Sequence, residues 1–362
     1  MQRVIQIRYL LILLAVVCVT SACSQQEKPN PETTMQEASD SEQSLKVIAQ
    51  NLDEPWEIVK NGETFYISER TGSIVKVQNG EKTRMPVEFS ENLSDQPEAG
   101  LLGIDFPKNF SETRTAYAYY SYQENEQYYQ RVVTIRARNG KWTEMETLLD
   151  KIPGGTFHQG GRIEIGPDNK LYITTGDATN PELAQDRSSL AGKILRMNLD
   201  GSVPENNPFT DSYVYSYGHR NPQGLAWNDD NQLYATEHGS SAYDEVNRII
   251  KGENYGWPAI RGDESAPDMK EPVIHSGNDT WAPSGMTFFN GDFYFASLAG
   301  EGLRRFDPEG GELELIVSDV GRVRDARAAE NGIYFITNNT DGRGMPDKKD
   351  DRLLFISETE LD

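Results

Sequence analysis

Short apolar and aromatic runs separated by polar, glycine-containing turns dominate this chain, and no long stretch carries helical spacing. One run recurs at 63–69, 115–121, 169–175, 231–237, 292–297 and 332–337, each with a tyrosine near its middle. The markers are Tyr66, Tyr119, Tyr172, Tyr234, Tyr294 and Tyr334, spaced 53, 53, 62, 60 and 40 residues apart. Runs at 73–78, 131–136, 192–197 and 313–317 are rich in β-branched residues and predict further strands. The only helix-like stretches are short, such as Pro181 to Asp186 with Asn180 as cap. Six repeats of this length predict an all-β fold, a six-bladed β-propeller, with a pair of β-sandwiches as runner-up. The marker strands are expected innermost, so that Glu69, Asp177, Glu237 and Asn338 converge on one mouth.

The N-terminus breaks this pattern. Arg3 and Arg8 precede an apolar run from Leu10 to Val19, too short for a comfortable membrane span. Small residues Thr20-Ser21-Ala22 before Cys23 resemble a bacterial lipobox. The expectation is a signal peptide at 1–22, lipidation of Cys23, a polar tether at 23–44 and a folded domain at 45–362. Tether composition supports this, since Gln, Glu, Pro, Thr and Ser cannot bury a core. Plain secretion is the alternative. The protein is then extracytoplasmic and meets the membrane through its anchor alone. Cleavage removes Cys18, leaving no cysteine for a disulfide besides Cys23.

The formal charge is −22, and loss of the two leader arginines takes it to −24. That balance argues against nucleic acid or an anionic lipid surface as partner. It is compatible with bound calcium, although solvated acidic surface is the commoner cause.

Candidate chemistry clusters around one of the four histidines. His158 sits in Gly154-Gly-Thr-Phe-His-Gln-Gly-Gly-Arg162, just before a predicted strand. A neutral imidazole there suits a general base, and a turn with a solvated histidine is the other reading. Four further segments fall in loops around different marker strands: 98–107, 218–226, 236–247 with Asn254-Tyr-Gly-Trp-Pro258, and 321–327.

Together these motifs resemble the soluble glucose/sorbosone dehydrogenase family, from Leu52-Asp-Glu-Pro-Trp56 to Phe355. The resemblance implies a six-bladed propeller that oxidises aldoses at C1 with pyrroloquinoline quinone (PQQ) and binds calcium. It implies His158 as base and Asp177 as the carboxylate orienting it. Arg220, Asn221, Arg322 and Arg324 match positions that contact PQQ. Glu245 and the backbone carbonyl of Tyr255 match a calcium site, and the carbonyls of Gly239 and Ser240 match a calcium bridging to the cofactor. Ser240 replaces the usual proline.

Three positions depart from the pattern. Glu98 stands where a PQQ-contacting glutamine is usual, an anion facing an anionic quinone unless protonated or paired. Ala299 and Phe157 replace a lysine and an aspartate of glucose-specific members, which points to the broader aldose branch. The reading is an aldose dehydrogenase passing electrons to an unknown acceptor. Its alternatives are a non-enzymatic saccharide- or protein-binding propeller and a calcium-dependent lactonase, which fold alone cannot separate.

Overall fold

The computed structural model describes residues 45–361. The leader, the tether and Cys23 lie outside the described residues. Strands run in chain order: β1 (Lys46–Ala49), β2 (Pro55–Asn61), β3 (Thr64–Glu69), β4 (Ser73–Gln78), β5 (Glu81–Glu88), β6 (Leu101–Asp105), β7 (Thr115–Glu124), β8 (Gln127–Arg138) and β9 (Lys141–Pro153). Then come β10 (Ile163–Ile165), β11 (Leu171–Thr175), β12 (Lys193–Met197), β13 (Val214–Tyr217), β14 (Pro222–Trp227), β15 (Leu233–Glu237), β16 (Glu245–Ile249) and β17 (Ile274–His275). The last are β18 (Pro283–Phe289), β19 (Asp292–Ser297), β20 (Gly302–Phe306), β21 (Leu313–Val317), β22 (Val323–Ala329), β23 (Gly332–Thr337) and β24 (Leu353–Ser357). Among the described residues no helix exceeds four residues. The helix expected after Asn180 is Glu182–Gln185, with Pro181 rather than Asn180 at its N-cap.

Three sheets are four-stranded antiparallel meanders, β10 to β13, β14 to β17 and β18 to β21. A fourth is β22-β23-β24 with β1 on its outer edge, so the two ends of the domain are tied into one sheet. The remaining eight strands form one sheet, order β2-β3-β4-β5-β9-β8-β7-β6. It is two such meanders joined where β5 runs parallel to β9 at Val87–Trp142 and Glu88–Thr143.

The sheets pack through their leading strands. β2 lies against β6 and β22, β6 against β10, β14 against β11 and β18, and β18 against β22, which closes a ring. The tyrosine-marked strands are therefore second from the axis, not innermost as expected. They are buried along their whole length because each sheet packs between neighbours, with apolar residues at their centres and polar ones such as Glu69, Thr175 and Glu237 at the ends. Leading strands carry glycines instead, as in β6, β14 and β18. A Cβ on Gly103 would lie 2.5 Å from the Gly161 carbonyl oxygen, so backbones converge there too closely for a side chain.

Antiparallel register then gathers the motifs. The end of each second strand lies beside the start of the first: Glu69 opposite Pro55, Glu237 opposite Pro222, and Thr337 opposite Val323. Loops leaving second strands and loops entering first strands thus share one side of the molecule.

Deep in the ring, Glu57, Arg162 and Asp325 are buried together. Arg162 Nη1 lies 2.9 Å from Glu57 Oε1 and 3.2 Å from Asp325 Oδ1. Arg327 bridges from Glu164 to the Ile58 carbonyl on the far side. Burial, reinforced by neighbouring Asp105, pushes the Glu164 carboxyl up to about 7 despite Arg327.

Candidate active site

Asp177 follows β11, and His158 lies in the loop entering β10. His158 Nδ1 is 2.7 Å from Asp177 Oδ1. Asp177 is fully buried, and its other oxygen accepts from the Trp257 indole N–H at 2.9 Å. The Thr179 N–H donates to Oδ1 at 2.8 Å. On the other side of the ring, Arg220 Nη2 donates to His158 Nε2 at 2.9 Å. A guanidinium only donates, so Nε2 carries the lone pair and Nδ1 the proton, given to Asp177. The Arg220 guanidinium lies over the Trp257 ring at 5.4 Å from its centroid. Burial lowers the Arg220 pKa, opposed by Asp177 and Glu237.

His158 has a left-handed backbone, φ 62°. For a residue with a Cβ this costs about 1–2 kcal/mol. Its N–H donates to Glu98 Oε2 at 2.8 Å, a charge-assisted bond that offsets the strain. Across the loop Gly176 is required, since a Cβ there would sit 1.9 Å from the His158 carbonyl oxygen.

Glu98 Oε1 accepts from both terminal nitrogens of Arg343, each at 3.2 Å. Burial raises the Glu98 carboxyl, but the His158 N–H and the charge of Arg343 bring it below the ordinary value. Glu98 is therefore an ionised, paired carboxylate.

These residues open onto a cavity of about 400 Å³ lined by Glu98, His158, Arg220, Asn221, His238 and Arg343 among others. Asn221 is buried and accepts the Gly160 N–H through Oδ1 at 3.0 Å, fixing the loop behind His158. Burial pushes His238 down to about 4, so it is a neutral imidazole.

Arg322 immediately precedes β22, Arg324 is its second residue, and neither lines that cavity. Arg322 Nη2 donates to Asp341 Oδ2 at 3.0 Å, and Arg324 Nη2 lies 3.9 Å from the same oxygen. Arg324 stacks over Trp56 at 4.3 Å and donates to Gln223 Oε1 at 2.9 Å. The Arg343 N–H donates to Asp341 Oδ1 at 3.0 Å, so one chain of contacts links Arg322, Asp341, Arg343, Glu98 and His158. The Nε groups of Arg220, Arg322 and Arg324 and Nε2 of His238 are buried without a hydrogen-bond partner.

Beside the cavity lies a second void, of about 20 Å³, lined by Glu237, Gly239, Ser240, Glu245 and Tyr255 among others. Glu245 accepts from the Gly262 N–H and Asn247 Nδ2, each at 3.0 Å. Burial and then Glu237 push its carboxyl up to about 7. The Tyr255 hydroxyl is committed to backbone, donating to the Arg248 carbonyl at 2.6 Å. Ser240 Oγ accepts from Arg261 at 2.7 Å, and the Gly239 N–H donates to Asp244.

A family profile for glucose/sorbosone dehydrogenases matches residues 52–346. The chain belongs to this family. Quinoprotein glucose dehydrogenase B of Acinetobacter calcoaceticus is 32% identical over 69% of the chain and 59% of its own length. The aldose sugar dehydrogenase YliI of Escherichia coli is 27% identical over 83% of the chain and 91% of its own length. Among solved structures, the PQQ-bound aldose sugar dehydrogenase of Streptomyces coelicolor has a TM-score of 0.80 and 36% identity, covering 87% of this chain and 98% of that one.

In this member of the family, then, His158, Arg220, Asn221 and Glu98 come together at one cavity, with Asp177 directly behind His158. Glu245, Tyr255, Gly239 and Ser240 meet at the neighbouring void, while Arg322 and Arg324 stand one layer back. Sequence reasoning assigned no role to Arg343, His238 or Trp257. Arg343 was detectable as a glycine-flanked arginine in Asp341-Gly-Arg-Gly344. His238 and Trp257 lie inside motifs already singled out, but nothing local says which way their rings point.

Proposed function

We propose that this protein is a PQQ- and calcium-dependent dehydrogenase that oxidises aldoses at C1 to the lactone. The observation that carries this reading is a histidine held between a buried carboxylate and an arginine, facing a cavity lined by the guanidinium groups of Arg220 and Arg343. Such forks of donors fit a planar ligand with several carboxylates. The cavity falls within the roughly 300–1,000 Å³ usual for cofactor and ligand sites. The Streptomyces relative in its PQQ-bound form supports the same cofactor.

Arg220 and Asn221 would hold the cofactor, with Arg322 and Arg324 supplying positive charge from behind. Bound PQQ supplies the two-electron acceptor for the hydride leaving sugar C1. His158 Nε2 takes the proton of the C1 hydroxyl, which displaces Arg220 from that lone pair. Asp177 stabilises the imidazolium that results and keeps the ring from turning. Trp257 and the Thr179 N–H hold Asp177 as an acceptor for that purpose. Glu245 with the carbonyl of Tyr255 would hold one calcium, and the carbonyls of Gly239 and Ser240 would hold a calcium at the cofactor. Two buried carboxylates sharing a void of ion size favour a hard cation with oxygen ligands.

The eight-stranded sheet reads as two propeller blades joined edge to edge, giving six. Each half is an antiparallel meander like the other sheets, which supports that count. Lipidation at Cys23 would place the enzyme on the outer face of a membrane, where a separate acceptor takes its electrons. The test is reconstitution of the purified protein with calcium and PQQ, then dye reduction with a panel of aldoses. A bound quinone spectrum and sugar-dependent dye reduction are expected. Absence of both overturns the reading.

A further inference from the structure

Glu98 stands at the edge of the cavity, yet both its oxygens are already engaged by the protein. Oε2 takes the main-chain N–H of His158, and Oε1 takes the guanidinium of Arg343. The peptide it holds is the left-handed one that sets the direction of the imidazole. That direction fixes both ends of the ring, Nδ1 toward Asp177 and Nε2 toward the cavity. Arg343 is in turn tied by its own N–H to Asp341, the carboxylate that pairs with Arg322.

We infer that Glu98 and Arg343 form a positioning pair for His158, Glu98 anchoring the base through its main-chain N–H and Arg343 holding Glu98 in place. This rests on the reading of His158 as the base. It gives the carboxylate at 98 a part in the protein's own scaffold instead of a contact with the anionic cofactor. A glutamine can do the first half of this task, since its amide oxygen accepts the same N–H. It cannot form the ion pair with Arg343.

Selective ¹⁵N-histidine labelling tests the pair without any activity measurement, because four histidines give four amide signals. In Glu98→Ala the His158 amide exchanges about tenfold faster or more with solvent, while the other three keep their rates. In Glu98→Gln its protection stays within about threefold of wild type. With the reconstituted enzyme, Glu98→Ala lowers kcat about 30- to 100-fold at little change in sugar KM or PQQ affinity. Glu98→Gln recovers most of that loss, and Arg343→Met falls between the two.

An unchanged His158 amide in Glu98→Ala overturns the inference, as does Glu98→Gln being as impaired as alanine. Loss of PQQ binding in Glu98→Gln with normal His158 protection also overturns it, by making Glu98 a cofactor contact. If the wild-type protein neither binds PQQ nor oxidises sugars, the functional reading fails, while the exchange arm still reports on the anchor. Melting temperatures of all three variants identify any that fail to fold, and Glu98→Gln and Arg343→Met keep the test decisive if the alanine variant is one of them.

Discussion

Asp177 accepts the Nδ1 proton of His158 at 2.7 Å, and its second oxygen is spoken for by Trp257. This leaves the carboxylate one orientation and the imidazole one tautomer. Asp177→Asn presents an amide that can donate to Nδ1 and so stabilise the wrong tautomer. We expect kcat to fall about 10²- to 10⁴-fold, with PQQ affinity within a few-fold of wild type. Steady-state dye reduction and quinone titration check this, and a variant with near-normal kcat would contradict the assignment. Histidine¹⁵N spectra of the wild type should show the proton on Nδ1.

Arg220 contacts the base and lines both voids. Arg220→Ala is expected to weaken PQQ binding at least about tenfold, the loss of one charge-assisted hydrogen bond. Arg220→Lys keeps the charge but loses the planar fork, so it should rescue only part. Equilibrium titration by quinone absorbance measures this, and unchanged affinity in the alanine variant would exclude Arg220 from the cofactor site.

Calcium should raise the melting temperature of the purified protein, and a chelator should reverse the rise. Glu245→Gln should reduce or remove the increment, because it takes one of two carboxylates from the small void. A calcium response that survives in Glu245→Gln at unchanged midpoint would place the ion elsewhere.

Arg162 stands between Glu57 and Asp325 with no exposure to solvent worth counting. Arg162→Met leaves two carboxylates buried without their cation. A loss of about 3–5 kcal/mol is expected, read by urea denaturation. A loss under about 1 kcal/mol would mean that the carboxylates relax to solvent or take up protons at little cost.

Glu164, pushed up to about 7, gives the fold a pH dependence. Between the ordinary carboxylate range and about pH 7 the folded state holds a proton on Glu164 that the unfolded chain has released. The stability from this group is thus present in full at acid pH and is lost as pH rises through about 7. Glu164→Gln should flatten that part of the stability profile. It is flanked by Arg327, Asp105, Arg162 and Asp325, and Glu245, also pushed up to about 7, contributes to any slope that persists in the variant.

The recurring tyrosine strands were legible in the sequence because the centre of a buried strand carries consecutive apolar residues, a local demand that leaves a mark. The same six runs are strands in the structure, 292–297 and 332–337 to the residue. Which strand lies nearest the axis was not legible. That depends on how closely backbones of different sheets approach, and glycines such as Gly103 mean nothing until Gly161 is known to face them. His158 and Asp177 were readable as a pair from their motifs, nineteen residues apart.

Tertiary structure alone decided the setting of Glu98. In the sequence it is an unmatched anion beside an expected anionic cofactor. Its counter-charge, Arg343, lies 245 positions away, and its hydrogen-bond donor is the main chain of His158, 60 positions on. Apolar periodicity is written in neighbouring residues, so the chain by itself determined its strands and its candidate chemistry. The pairing of charges over such distances is set only when the ring of sheets closes and brings the loops to one mouth.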